Sequence, residues 1–198
     1  MDTYRPRYNL PPGSQHPVVT HDAAETLRPL TWGFRAHWTS TGNDLINARS
    51  ETVAEREAFA DAWANRPCVI PSSGFYEWQD RRDGPNQPYR IYRPNDPAFA
   101  LAGIWQPQEE TDRFTILTTD ANEDLAGIHD RMPVVLRRED EHTWVHGTPD
   151  ERNQLCRPYP DEDLAVTPIS RRVNNPAYDD RSIISPIEDP QTGLEEFG

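Results

Sequence analysis

Twenty prolines spread through 198 residues limit what this chain can fold into. Each pyrrolidine ring removes a backbone donor and clashes with the preceding helical turn, so long helices have little room. The apolar runs between the prolines are short and rich in β-branched or aromatic residues: Leu27–Phe34, Cys68–Trp78, Pro88–Tyr92, Phe99–Trp105, Phe114–Thr118, Met132–Leu136 and Leu164–Ile169. Runs of this kind read as strands. Asp83-Gly84-Pro85-Asn86 has the chemistry of a hairpin loop between two of them. Helical signals are few. Thr52 and Glu55 are spaced as a capping box, with Phe59, Ala62 and Trp63 on one face before Pro67 ends the run. A short helix is expected over Asp120–Ala126, closed by Gly127 in the left-handed conformation. Two more are expected over Glu139–His146 and Pro149–Arg157. The expectation is an α+β fold: one domain over 1–198, built on curved, barrel-like antiparallel sheet with a few short helices, its core within 7–187 and a frayed polar tail over 188–198.

Composition narrows the setting. Six Trp, seven Tyr and six Phe supply large units of burial despite a hydrophobic content of 35%. Thirty-three acidic residues face twenty basic ones, a net charge of −13, and all twenty are Arg. Such acidity ordinarily argues against polyanions, because phosphate binding rests on cationic contacts. Adaptation to concentrated salt is the other reading, since screening there makes self-repulsion cheap, and the absence of Lys favours this halophilic reading. On that reading the placement of Arg says more about partners than the net charge does. Cys68 and Cys156 have no metal-ligand spacing and exclude a disulfide scaffold. No apolar run is long enough to cross a membrane, and Met1-Asp2-Thr3-Tyr4-Arg5-Pro6-Arg7 does not read as a secretory leader. A monomer in a reducing cytoplasm is the expectation.

Three strings carry reactive side chains in non-periodic settings. In Asn47-Ala48-Arg49, alternation puts Asn47 and Arg49 on one side of an extended segment, at the entry of the helix expected after Thr52, where free backbone amides favour an anion. There they face an anion, or else Asn47 satisfies a turn while Arg49 pairs with Glu51. Glu77 lies between Tyr76 and Trp78. Apolar neighbours would raise its pKa and make it a proton donor near neutrality, whereas an outward-facing Glu77 would pair with Arg81 or Arg82. His129, ahead of Asp130 and Arg131, suits a positioned general acid or base, although a satisfied structural imidazole is the commoner fate of a single His. Arg131 either clamps a phosphate or neutralises Asp130. Ser72-Ser73-Gly74 lacks the glycine spacing of a nucleophile elbow, and no Gly-rich phosphate loop is present. His129, Asp130 and Glu77 lack the spacing of a metal site, so no metal and no cofactor is expected.

Taken together, these strings resemble the SOS response-associated peptidase (SRAP) family of abasic-site processing proteins. The likeness runs through Arg7-Tyr8-Asn9-Leu10-Pro11-Pro12, Leu30-Thr31-Trp32-Gly33-Phe34, Asn47-Ala48-Arg49, Cys68–Trp78, Leu101-Ala102-Gly103-Ile104-Trp105, Ile128–Val134 and Val173-Asn174. The resemblance implies binding of single-stranded DNA and capture of the ring-opened aldehyde of an abasic site. The family's catalyst is a Cys bared by removal of the initiator Met, which is the origin of the peptidase label. Its α-amine forms a Schiff base and its thiol closes a thiazolidine, leaving a covalent DNA–protein crosslink. Carried over, Asn47 orients the nucleophile and the sugar, Glu77 serves ring opening and imine chemistry, and His129 assists proton transfer and elimination or reversal. Arg49 and Arg131 hold phosphates beside the lesion, and Trp32 and Pro12 stack or wedge against bases. One departure stands out: the family opens Met-Cys-Gly-Arg, and this chain opens Met1-Asp2-Thr3. The expectation is that an in-frame Cys-Gly-Arg lies upstream. The rival reading is a degenerate module that binds single-stranded or gapped DNA without covalent chemistry.

Overall fold

The fold is described from a computed structural model covering residues 5–35, 44–108, 110–160 and 163–187. Its strands are β1 (Gln15–Thr20), β2 (Leu27–Trp32), β3 (Asn47–Arg49), β4 (Pro67–Ser72), β5 (Phe75–Gln79), β6 (Gln87–Tyr92), β7 (Phe99–Gln106), β8 (Arg113–Asp120), β9 (Arg131–Pro133), β10 (Val135–Leu136) and β11 (Ala165–Pro168). The α-helices are α1 (Ala60–Asn65), α2 (Glu123–Ala126), α3 (Glu141–His146) and α4 (Pro149–Leu155). Strands β7, β4, β1, β2 and β8 pair in that order, and β8 pairs again with β7, so the larger sheet closes into a ring. A smaller sheet, β11-β6-β5, stands apart from it.

Alternation along the ring strands divides the interior into two cores. Val18, Cys68, Ile70, Leu101, Phe114 and Ile116 belong to one cluster, which the smaller sheet covers with Tyr89 and Ile91. Their sequence neighbours Val69, Ala100, Ala102 and Leu117 belong to the other, covered by α1 and α3 through Trp63 and Trp144. Both faces of β7 are therefore buried, which is why Phe99–Gln106 reads as an unbroken apolar run. Gly103 lies where β4, β7 and β8 crowd together. A Cβ there would come within 2.5 Å of Ile70 Cδ1 and 2.9 Å of Thr115 O, so the close approach of three strands requires glycine.

The α+β class expected from sequence is the class observed, although the sheet is mixed rather than wholly antiparallel: β2 and β3 both run parallel to β8. Other local expectations change. The run from Cys68 to Trp78 is two strands, broken at Ser73-Gly74 and shared between the two sheets. A Cβ on Gly74 would lie 2.8 Å from Ile91 O, so only glycine lets the chain leave the ring this close to β6. Thr52 and Glu55 do not cap a helix. They close successive turns, with Glu55 N donating to Thr52 O, which carry fully buried Val53 and Phe59 into the second core before α1 begins. Gly127 is right-handed at φ −79°; the turn tightens instead, Ile128 and His129 both donating to Leu125 O. Met132–Leu136 divides at Val134, which donates to Leu117 O and accepts from Ala102 N, so β9 joins β8 and β10 joins β7. Strand β1 was not expected, because Pro17 falls in it; Pro17 sits opposite Pro29 of β2, and the register runs on past both, His16 opposite Leu30 and Val18 opposite Arg28. The Asp83–Asn86 hairpin and the two late helices form, α4 with a complete Thr148–Glu151 capping box. The tail over 188–198 lies outside the described residues. No helix among the described residues is long and apolar enough to cross a membrane.

Candidate functional site

Between the ring and the smaller sheet lies a cleft of about 590 Å³. One wall is β5, carrying Phe75, Tyr76, Glu77 and Trp78; the ring contributes Trp32, Asn47, Ile70, Leu101 and Ile116. The N-terminal segment Arg7–Pro12 closes one side and Val173, Asn174 and Pro176 another. The segments Arg7–Asn9 and Val173–Asp179 are held together. Asp179 accepts from the backbone N–H groups of Tyr8 and Asn9 at 2.5 and 2.8 Å and pairs with Arg7. The buried Asn9 side chain donates to the carbonyls of Val173, Asn175 and Tyr178. From the opposite wall, Tyr76 Oη donates to Tyr8 O at 2.5 Å.

Glu77 faces this cleft with its side chain only 20% exposed. Burial strips water from the carboxylate and pushes its pKa up to about 7; the nearby His129 opposes the rise and Asp130 adds to it. His129 Nδ1 lies 3.9 Å from Glu77 Oε2 and 3.5 Å from Asp130 Oδ1. The same Nδ1 lies 3.1 Å from both the backbone N–H and the carbonyl oxygen of Arg131, which hold the ring in place in either tautomer. A carboxyl that titrates near neutrality and an adjoining imidazole can pass a proton in either direction at physiological pH.

Asn47 and Arg49 flank buried Ala48 on the exposed side of β3, and Asn47 reaches the cleft. Arg131 is tightly held. Its guanidinium donates to both oxygens of Glu51 at 2.8 and 2.9 Å, to Asp120 at 2.6 Å and to Thr118 O at 2.7 Å. These bonds raise the Arg131 pKa and hold the Glu51 carboxyl below the usual range. Trp32 donates its indole N–H to Ile46 O at 2.8 Å and lies parallel to Phe114. Pro12 is exposed on the cleft rim. The structure thus gathers Asn47, Glu77, Trp32 and Pro12 around one cleft, with His129 against Glu77, whereas Arg49 and Arg131 stand together beside Glu51, outside the cleft lining.

Sequence reasoning passed over several residues of this cleft. Arg90 lines it while its guanidinium donates to Ser73 O and lies 4.1 Å from the Tyr92 ring centroid. Trp78, 36% exposed, presents its ring there and donates Nε1–H to Asn174 at 2.8 Å. His16 packs edge-on against Trp32 and Phe114, and burial together with Arg7 lowers its pKa to about 4. No local signal marks Arg90 or His16; they meet only once the sheets are assembled. Among the described residues no group of three or more His, Cys, Asp or Glu is placed to hold a metal.

The ring of mixed sheet and the smaller sheet thus enclose a largely apolar cleft that holds a half-buried carboxyl, with an imidazole 3.9 Å from it. The chain belongs to the SOS response associated peptidase (SRAP) family, whose model matches residues 1–176. It is 33% identical over 185 residues to the abasic site processing protein YoaM of Bacillus subtilis, covering 87% of this chain and 82% of that one. It is 30% identical to the abasic site processing protein YedK of Escherichia coli over 190 residues (91% and 85% covered). With the abasic site processing protein HMCES of Gallus gallus it shares 32% over 229 residues (93% and 67% covered). A crystal structure of a protein from Bacteroides thetaiotaomicron superposes with a TM-score of 0.78 at 26% identity, covering 88% of this chain and 82% of the other.

Proposed function

We propose that this protein processes abasic sites in single-stranded DNA, with the lesion bound in the cleft between the ring and the smaller sheet. The observation that carries this reading is Glu77: a carboxyl titrating at about 7, in a cleft that also presents Asn47, with His129 3.9 Å away. An abasic sugar is mostly a closed hemiacetal. Protonated Glu77 can donate to the ring oxygen as C1′ becomes an aldehyde and recover a proton as an amine adds. The Asn47 carboxamide is suited to orient the sugar, and His129 to exchange the proton of Glu77 with solvent. Trp32, Trp78 and Pro12 offer stacking or wedging surfaces for neighbouring bases. Arg7 and Arg90 in the cleft and Arg49 beside it supply local positive charge on a chain whose net charge is −13.

Residues 7–12 line the cleft, so the segment that leads into the fold is suited to bring an N-terminal nucleophile to the lesion. With Cys at that terminus, its α-amine condenses with the C1′ aldehyde, releasing one water and forming an imine. The thiol then adds to the imine carbon while its proton passes to nitrogen, closing a thiazolidine without further loss. The test uses the protein begun with Cys, mixed with a single-stranded oligonucleotide carrying one abasic site. A heat-stable adduct is expected, and none with an intact strand. Absence of any adduct overturns the covalent reading. Salt-dependent single-strand affinity that is indifferent both to the abasic site and to Glu77→Gln would instead establish the non-covalent module.

A further inference from the structure

On the other face of the ring is a second cavity of about 390 Å³, lined by Val19, Val69, Phe99, Val145, His142 and His146 among others. The proposed DNA cleft takes Ile70 and Leu101 from β4 and β7, whereas this cavity takes their neighbours Val69 and Ala100, so alternation places the two on opposite sides of the sheet. We propose that His142 and His146 form a two-imidazole site for a divalent transition-metal cation at the mouth of this cavity.

His142 and His146 are four apart on α3, so their side chains stand one turn above another on the same helical face. This is the arrangement by which a helix offers two imidazoles to one metal. Their ring centroids are 4.8 Å apart, close enough for one nitrogen from each ring to turn towards a single ion. The helix is fixed from behind. Trp144, on the opposite face, is fully buried and donates its indole N–H to Cys68 O at 2.9 Å. Both His rings are exposed, so an ion reaches them without rearrangement. No other role claims them, since neither imidazole belongs to the cleft.

The surroundings favour a cation. Glu141 lines the same cavity, with Asp96 and Arg138 near enough to influence its carboxyl, and the chain as a whole carries −13. His21 lies within electrostatic reach of His146, and its Nδ1 is taken by the Trp105 indole N–H at 3.2 Å. No third ligand stands in place among the described residues, so water completes the coordination. Two imidazoles with water select borderline ions of the copper, nickel and zinc type over Mg²⁺ or Ca²⁺, which demand oxygen.

Equilibrium dialysis of untagged protein against Ni²⁺ tests the site, with Mg²⁺ as the control and His142→Ala, His146→Ala and the double variant alongside. One Ni²⁺ per chain is expected, with affinity falling roughly tenfold or more in either single variant. Cu²⁺ should bind more tightly than Ni²⁺, and its electron paramagnetic resonance spectrum should show imidazole nitrogen coupling that the double variant loses. Both side chains are solvent-facing, so circular dichroism should be unchanged; if an alanine variant unfolds, His142→Gln and His146→Gln carry the same comparison. Equal Ni²⁺ binding by wild type and the double variant, or wild-type binding no stronger than for Mg²⁺, overturns the proposal. The result is independent of DNA processing, which these variants should leave unchanged.

Discussion

At the scale of single residues the account turns on Glu77. A carboxyl with its pKa raised on folding keeps its proton in the native state after the unfolded chain has released it. Stability therefore falls as pH rises through the window from about 4.5 to about 7, and the full cost persists above it. Glu77→Gln removes that cost. Urea unfolding at pH 8 should show the variant more stable by on the order of 1–3 kcal/mol, with little difference at pH 4, while its reaction with abasic DNA is largely lost. A variant that is less stable at pH 8 would mean that Glu77 serves the fold rather than the chemistry. Arg131 makes a second case. Two carboxylates occupy a guanidinium that the family resemblance assigns to a phosphate. Glu51→Gln weakens one of those claims. Single-strand affinity should rise roughly two- to fivefold, with a salt dependence steeper by about one phosphate contact; an unchanged slope would assign Arg131 to the scaffold alone.

At the scale of elements, the glycines between strands govern the shape of the cleft. Gly103→Ala places a methyl group against Ile70 and the Thr115 carbonyl. It should cost about 1–3 kcal/mol, read as a lowered denaturation midpoint with an unchanged slope. Strands rich in aromatic and β-branched residues were legible in the sequence because their composition is local information. Their assembly was not. The run Cys68–Trp78 is continuous in hydrophobicity yet serves two sheets, and only the crowding of Gly74 by Ile91 O explains the break. Strand β1 was hidden because a proline inside a run argues against a strand, yet Pro17 is accommodated in the β1–β2 pairing. The site was partly legible for the same reason. Glu77, His129 and Asn47 each sit in a compact motif, which Trp78 shares with Glu77, whereas Arg90 and His16 join the cleft only through pairings distant in sequence. Thr52 and Glu55 had the spacing of a cap but not its geometry: burial of Val53 and Phe59 outweighed a local signal worth about 1 kcal/mol.

At the scale of the whole molecule, a chain with thirteen surplus negative charges is proposed to bind a polyanion in its cleft. Self-repulsion of this kind weakens as salt rises. The melting temperature should therefore climb as KCl is raised towards molar concentrations, while single-strand affinity declines only gently if a few local arginines carry it; a falling melting temperature would contradict the reading of the surface as adapted to salt. The segments Arg7–Asn9 and Val173–Asp179 are joined through Asn9 and Asp179, so Arg7–Pro12, Glu77 and the rings of Trp32 and Trp78 share one space. The most direct measurement is a crystal structure with a single-stranded oligonucleotide carrying a tetrahydrofuran abasic analogue. The account predicts the analogue sugar in the cleft, within hydrogen-bonding distance of Glu77 and Asn47, with flanking bases against Trp32 or Trp78. A strand bound elsewhere on the surface, with the cleft empty of DNA, would contradict it.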